Sequence, residues 1–189
     1  VADGAALAAV PGGVGMTHAE LVKVAARWLR NNRRCGVVLT EHHGGTVEVP
    51  DAIGWRASYS VQVECKVSRA DFKADAKKPC RRHNRLTGQY RQALERWYLT
   101  PPGLIANVRD LPDGWGLLEY ARRRVEVIVA AVPAARADAT AQNEITRLYM
   151  ELRRYQSQGI RYKTVTELQA EEARRFAERR EARLREVSA

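Results

Sequence analysis

Val61-Gln62-Val63-Glu64-Cys65-Lys66-Val67-Ser68-Arg69-Ala70-Asp71-Phe72-Lys73-Ala74-Asp75-Ala76-Lys77-Lys78-Pro79 changes its period part-way along. From Val61 to Ser68 apolar and polar residues alternate. Val61, Val63, Cys65 and Val67 fall on one face of a strand, and Gln62, Glu64, Lys66 and Ser68 on the other. Ser68-Arg69-Ala70-Asp71 has the form of a capped helix start. The helix is expected to reach about Lys78, because Pro79 cannot continue it without losing a hydrogen bond.

Upstream, Thr17-His18-Ala19-Glu20 reads as a capping box, followed at helical spacing by Leu21, Val24, Ala25, Trp28 and Leu29. Asn31-Asn32 and Gly36 end that helix. Val37 to Glu41 and Thr46 to Trp55 suit two strands around a turn at His43-Gly44-Gly45, and Ser58-Tyr59-Ser60 suits a hairpin loop. Downstream, Cys80 to Gly88 is a basic loop and Tyr90 to Glu95 is expected to be a short helix. Arg96 to Thr100 is expected to be a strand stopped by Pro101-Pro102-Gly103. Trp115 to Tyr120 and Val125 to Val129 suggest a late hairpin after the turn at Leu111-Pro112-Asp113-Gly114. Beyond Pro133 the composition shifts. Ile145, Leu148, Tyr149, Leu152 and Tyr155 mark an amphipathic helix broken at Gly159, and a Glu/Arg/Ala-rich helix follows from about Val165.

The chain has 189 residues, of which 45% are hydrophobic, enough for one packed domain with peripheral helix. No apolar run approaches the ~18 residues that span a bilayer, so no membrane is expected as a partner. Residues 1–16 read as a flexible leader, 17–133 as the main domain and 134–189 as a helical extension. Cys35, Cys65 and Cys80 are odd in number and show no C-x-x-C, which points to a reducing cytoplasm. The net charge is +10, and a basic surface attracts polyanions. Only 6 of the 32 basic residues are Lys, and four of those lie between 66 and 78. That stretch therefore stands out from the Arg-rich background.

Asp51 and Glu64 are separated by enough chain for two strands and a tight turn, so a hairpin brings their carboxylates side by side. Glu64 and Lys66 share a strand face. Two convergent carboxylates can hold Mg²⁺, which prefers oxygen ligands, and the carbonyl of Cys65 is a candidate third ligand. Such a cation can activate water and stabilise an anionic transition state, as phosphodiester hydrolysis requires. The alternative is a surface strand with an ordinary Glu–Lys pair. Lys73, Lys77, Lys78, Arg81 and Arg82 would crowd one end of the site, where a phosphate backbone would run. Alternatively, they form a solvated face.

Pro50-Asp51 and Glu64-Cys65-Lys66 resemble the defining motif of the PD-(D/E)XK nuclease superfamily. The run from Glu64 to Pro79 is similar to that of MmcB-type DNA repair nucleases. Arg96-Trp97-Tyr98-Leu99-Thr100-Pro101 is close to their R-x-Y-x-x-P strand, and Leu111-Pro112 to Gly116-Leu117-Leu118 resembles the next segment. The resemblance spans about residues 17–130. It implies an α/β (α+β) fold with a restriction-endonuclease-like αβββαβ core, a mixed central sheet and added C-terminal helices. It further implies Asp51 and Glu64 as ligands of Mg²⁺ or Mn²⁺, Lys66 beside the attacking water and DNA as substrate. Glu20 stands where many members carry a helix-1 acid, although the capping box accounts for it equally. Gln89, Tyr90 and Gln92 are similar to polar helix residues that some members direct at the site. Two alternatives stand beside an enzyme. One is a non-catalytic nucleic-acid-binding subunit. The other is an interaction module that forms a homo-oligomer, or binds a protein partner, through its C-terminal helices.

Overall fold

In the computed structural model, the residues described are 16–41, 48–79, 81, 91–135, 137–159 and 165–187. The elements run α1 (His18–Asn31), β1 (Val37–Thr40), β2 (Ala52–Arg56), β3 (Tyr59–Cys65), α2 (Arg69–Asp75), β4 (Glu95–Thr100), β5 (Trp115–Ala121), β6 (Arg124–Val129), α3 (Asp138–Ser157) and α4 (Val165–Val187). The strands form one six-stranded sheet in sequence order. β3, β4 and β5 are mutually parallel, and the outer pairings are antiparallel. The fold is thus α+β with a mixed sheet, followed by C-terminal helices. Among the described residues no helix is long and apolar enough to cross a membrane.

Alternation along the strands sorts the sheet into two faces. Val61, Val63, Cys65, Trp97, Leu99 and Leu118 meet Leu21, Val24, Ala25, Trp28 and Leu29 of α1 in the largest core cluster. The capping box that starts α1 is formed in full. Trp97 packs edge-on against Trp28. Its ring occupies the space over its register partner Gly116, where a β-carbon would come within 2.2 Å. Only glycine fits there.

The opposite face is apolar at its flanks and polar at its centre. Trp115 and Leu117 lie on one side and Ile53 and Trp55 on the other. Arg96, Gln62 and Glu64 come between them, with Gln62 beside Arg96 and Glu64 beside Tyr98 in the register. The polar face of β3 expected from its alternation is therefore buried.

Four expected elements differ. The hairpin loop expected at Ser58-Tyr59-Ser60 is the two-residue turn Ala57–Ser58, and Tyr59 and Ser60 already belong to β3, paired with Arg56 and Trp55. The second strand begins at Ala52, because Pro50 has no N–H to give a ladder. Residues 91–93 are not helical. Asn143 donates to the Arg91 carbonyl (3.3 Å), and the Leu94 N–H donates to Ser60 Oγ (3.0 Å). α2 ends at Asp75, before the expected Lys78. The turn at His43–Gly45 and the 1–16 leader up to residue 15 lie outside the described residues.

One compact unit ends at Leu148 and a second begins at Tyr149. In the first unit, α3 turns polar residues inward. Ser60 donates to Glu144 at 2.6 Å, and Arg147 donates to the Glu48 carbonyl and to Gln92. Ile145, by contrast, is exposed. In the second unit α4 carries the expected i,i+4 pairs, Glu171 with Arg175 and Glu181 with Arg185.

Candidate functional site

The polar centre of the sheet is an ionic cluster assembled from β3, α2, the turn after α2 and the segment before β2. Asp51 closes on β3 through one bond: the Cys65 N–H donates to its Oδ2 at 2.7 Å. That places Asp51 against the residue between Glu64 and Lys66. The expected convergence of Asp51, Glu64 and Lys66 is present. Glu64 Oε2 lies 3.6 Å from Lys66 Nζ, and Glu64 and Lys66 are only 1% and 4% exposed.

Sequence reading missed the rest of the cluster. Gln62, two residues before Glu64 and therefore on its face, donates its amide to Glu64 (2.9 Å) and to Glu48 (3.1 Å). Glu48 is buried and ion-paired with Arg81. Asp75 accepts from Arg81 Nε (2.9 Å) and from the Tyr98 hydroxyl (2.7 Å), with Lys66 at 3.2 Å and Lys78 at 2.8 Å. One available signal was Gln62, an amide two residues from a carboxylate on a strand face that also has to bury Ile53.

Burial opposes the charge on Glu64, Lys66, Asp75 and Arg81; it sets the outcome at Glu64, while ionic partners outweigh it at the other three. It pushes Glu64 up to about 7; Arg81 opposes the rise, while Glu48 and Asp51 add to it. Burial also works against the charge on Lys66, but Glu64, Asp75, Asp51 and Asp71 outweigh it and hold the ammonium above its usual range. Asp75 is held well below the carboxylate range despite burial, chiefly by Arg81 and then by Lys66. Glu48, Glu64 and Asp75 keep Arg81 charged in the interior in the same way.

The other expected site residues divide. Glu20 is taken up by the capping box, its Oε2 accepting from both the N–H and the hydroxyl of Thr17 at 2.8 Å. The α1 residue brought to Asp51 is His18, at 3.4 Å from Oδ1. Cys65 buries its side chain in the α1 core, which leaves only its main chain facing the cluster. Arg81, expected on a phosphate-binding surface, is buried by its three carboxylate partners and unavailable for that role. Lys78 is half-exposed but paired with Asp75. Lys73 and Lys77 are exposed and line a groove of about 760 Å³ with Arg69, Phe72 and Ile105. Gln92 binds Arg147. Arg82, Gln89 and Tyr90 lie outside the described residues.

The donor set around Glu64 is hard oxygen, which suits Mg²⁺ or Mn²⁺. Burial, and after it the charges of Glu48 and Asp51, favour protonation of Glu64, and a cation beside Glu64 would oppose that. No group of three or more His, Cys, Asp or Glu side chains able to hold a metal occurs among the described residues. The side chains therefore offer at most the carboxylates of Asp51 and Glu64, and any further ligands would be main chain and water.

No family model and no curated protein matches the chain. A protein of unknown function from Silicibacter pomeroyi is similar in structure, with a TM-score of 0.52 and 24% identity over 71% of this chain and 84% of its own. At that identity the likeness shows a shared fold and nothing of activity.

Proposed function

We propose that the chain is a cytoplasmic, metal-dependent nuclease of the PD-(D/E)XK type acting on DNA. The observation that carries this reading is the placement of Asp51 on the N–H of Cys65, between Glu64 and Lys66 on a buried strand. Asp51 and Glu64 would hold Mg²⁺ or Mn²⁺, with the Cys65 carbonyl as a third ligand. A divalent ion there supplies Lewis acidity toward a phosphodiester oxygen and a bound water of lowered pKa. Lys66 is kept protonated by its carboxylate neighbours, so it acts as a fixed positive charge beside the scissile phosphate and not as a base. Asp75 positions Lys66, and Gln62 orients Glu64.

Labelled single-stranded, duplex and branched DNA incubated with Mg²⁺, Mn²⁺ or EDTA tests the reading. Metal-dependent cleavage is expected, falling by about 10²-fold or more in Asp51→Asn and Glu64→Gln. A rise in melting temperature with Mg²⁺ in the wild type, absent from Glu64→Gln, is expected independently of cleavage. Undiminished cleavage by both variants would overturn the assignment.

A second reading rests on the near-complete burial and mutual pairing of Glu64 and Lys66. In it the cluster is a structural centre and the chain a non-catalytic DNA-binding subunit. DNA binding without cleavage under every metal condition, and no Mg²⁺ stabilisation, would favour it.

A further inference from the structure

Beside the carboxylate cluster lies a second polar feature that it does not explain. A cavity of about 190 Å³ is lined by Arg81, Arg91, Arg96, Ala76, Asp113 and Trp115. That is several times the ~30 Å³ share of one water molecule. The charge of Arg81 is balanced by Glu48, Glu64 and Asp75. Arg96 feels the Glu48 carboxylate, which Arg81 already engages, but forms no ion pair of its own among the described residues. It is 9% exposed, and among those residues its Nε has no hydrogen-bond partner. Its guanidinium instead rests on the Trp115 ring, 4.8 Å from the centroid, beside that of Arg81 at 4.5 Å. Arg91 is half-buried and donates its Nε to the Ala93 carbonyl at 3.0 Å, which fixes it at the cavity wall. Asp113, the sole carboxylate in the lining, is exposed and forms no ion pair with these arginines among the described residues.

A buried cation without a direct ion pair is costly, and crowding with like charges adds to the cost. Burial, with Arg91 and Arg81 contributing and Glu48 only partly opposing them, brings Arg96 down to about 10. An anion in the cavity would reverse all of these penalties together. Guanidinium groups offer planar forks of N–H donors that match phosphate oxygens.

We infer that the cavity between Arg91, Arg96 and Trp115 is a binding site for a single phosphoryl group. The group comes either from a nucleic-acid strand or from a free phosphorylated small molecule. The inference does not rest on the nuclease reading, because it involves neither Asp51 nor a metal.

The test is thermal unfolding and calorimetric titration of the whole chain in EDTA, with inorganic phosphate as the probe and chloride at matched ionic strength as the control. Phosphate is expected to raise the melting midpoint with the logarithm of its concentration, and chloride is not. Arg96→Met is expected to fold at least as well as the wild type while phosphate affinity falls about tenfold or more. Arg91→Gln, at the cavity wall, is expected to weaken phosphate without disturbing the core, and Asp113→Asn to strengthen it. A 5′-phosphorylated oligothymidylate that displaces phosphate better than its 5′-hydroxyl form, with thymidine monophosphate weaker than either, would support a strand phosphate as ligand. The reverse order would support a free small molecule. No phosphate-specific stabilisation, or an undiminished one in both Arg96→Met and Arg91→Gln, would overturn the inference.

Discussion

Glu64 and Lys66 stand 3.6 Å apart, yet removing their charges should have opposite effects on stability. The carboxyl of Glu64 has its folded pKa raised from 4.5 to about 7. The folded state therefore holds a proton that the unfolded chain releases between those values, and stability contributed by this group falls as pH rises from about 4.5 to 7. Above pH 7 the loss is complete, with an upper size of about 3 kcal/mol at ~1.4 kcal/mol per unit. Glu64→Gln keeps the shape and removes the charge. In urea unfolding it should be more stable than the wild type by up to about that amount at pH 8, and by little at pH 4. An equal gain at both pH values would show that burial of the carboxylate is not the cause. Lys66→Ala leaves Glu64 and Asp75 buried with one cation fewer, and should cost about 3 to 5 kcal/mol. Under the nuclease reading it should also slow single-turnover cleavage more than it weakens DNA binding. A stability unchanged by Lys66→Ala would show that the network does not depend on it.

At the scale of elements, the β5–β6 hairpin holds a testable flaw. Ala121 pairs with Arg124 across a two-residue loop, and both loop residues are left-handed, Arg122 at φ 48° and Arg123 at φ 63°. Such turns favour Asn-Gly, since side chains with a bulky β-carbon pay a steric cost there. Replacing the pair by Asn-Gly should raise stability by about 1 kcal/mol, seen as a higher urea midpoint with unchanged m-value. The strands themselves were legible because their apolar residues alternate, as in β3, or end at Pro and Gly, as β4 does at Pro101. What alternation alone could not show was burial of the second face. Alternation puts Gln62 and Glu64 on one face but cannot place that face inside the protein, because their partners Glu48 and Arg81 are brought to them only by the tertiary fold. The same reason turned Arg81 from a surface contact into an interior counter-charge. In α3, the apolar stripe read from Ile145 onward faces inward at Leu148, which packs against the cluster of Ile53, Trp55 and Ala93. Ile145, Tyr149, Leu152 and Tyr155 are exposed, and the inward side is shared with Glu144 and Arg147.

For the whole molecule, a net charge of +10 does not identify the surface a polyanion would meet. With Arg81 buried and Lys78 paired, the exposed cations on and just after α2 among the described residues are Arg69, Lys73 and Lys77, along one groove. A second basic groove, lined by Arg27, Arg123 and Arg124, lies between α1 and the β5–β6 hairpin. If DNA follows the first, Lys73→Gln with Lys77→Gln should lower the slope of log K against log salt by about 1.4 to 1.8, at 0.7 to 0.9 per phosphate contact. The loss should be the same on unrelated sequences. An unchanged slope, with a drop in Arg123→Gln/Arg124→Gln, would move the interface to the second groove.

The two parallel ladders at the centre of the sheet also set an order of events during folding. β2–β3 and β5–β6 are joined by two-residue turns and can form locally, whereas β1–β2, β3–β4 and β4–β5 pair strands whose longer connections must close first. Glu64 stands on β3, Asp75 on α2 and Tyr98 on β4. Their ionic centre cannot exist until the slowest pairing is made. Until then the carboxylates remain hydrated and fully ionised, and the cost of desolvating them falls on the last step toward the native state. Substitutions of Glu64 and Asp75 should therefore act mainly on the unfolding rate, leaving early collapse and hairpin formation untouched.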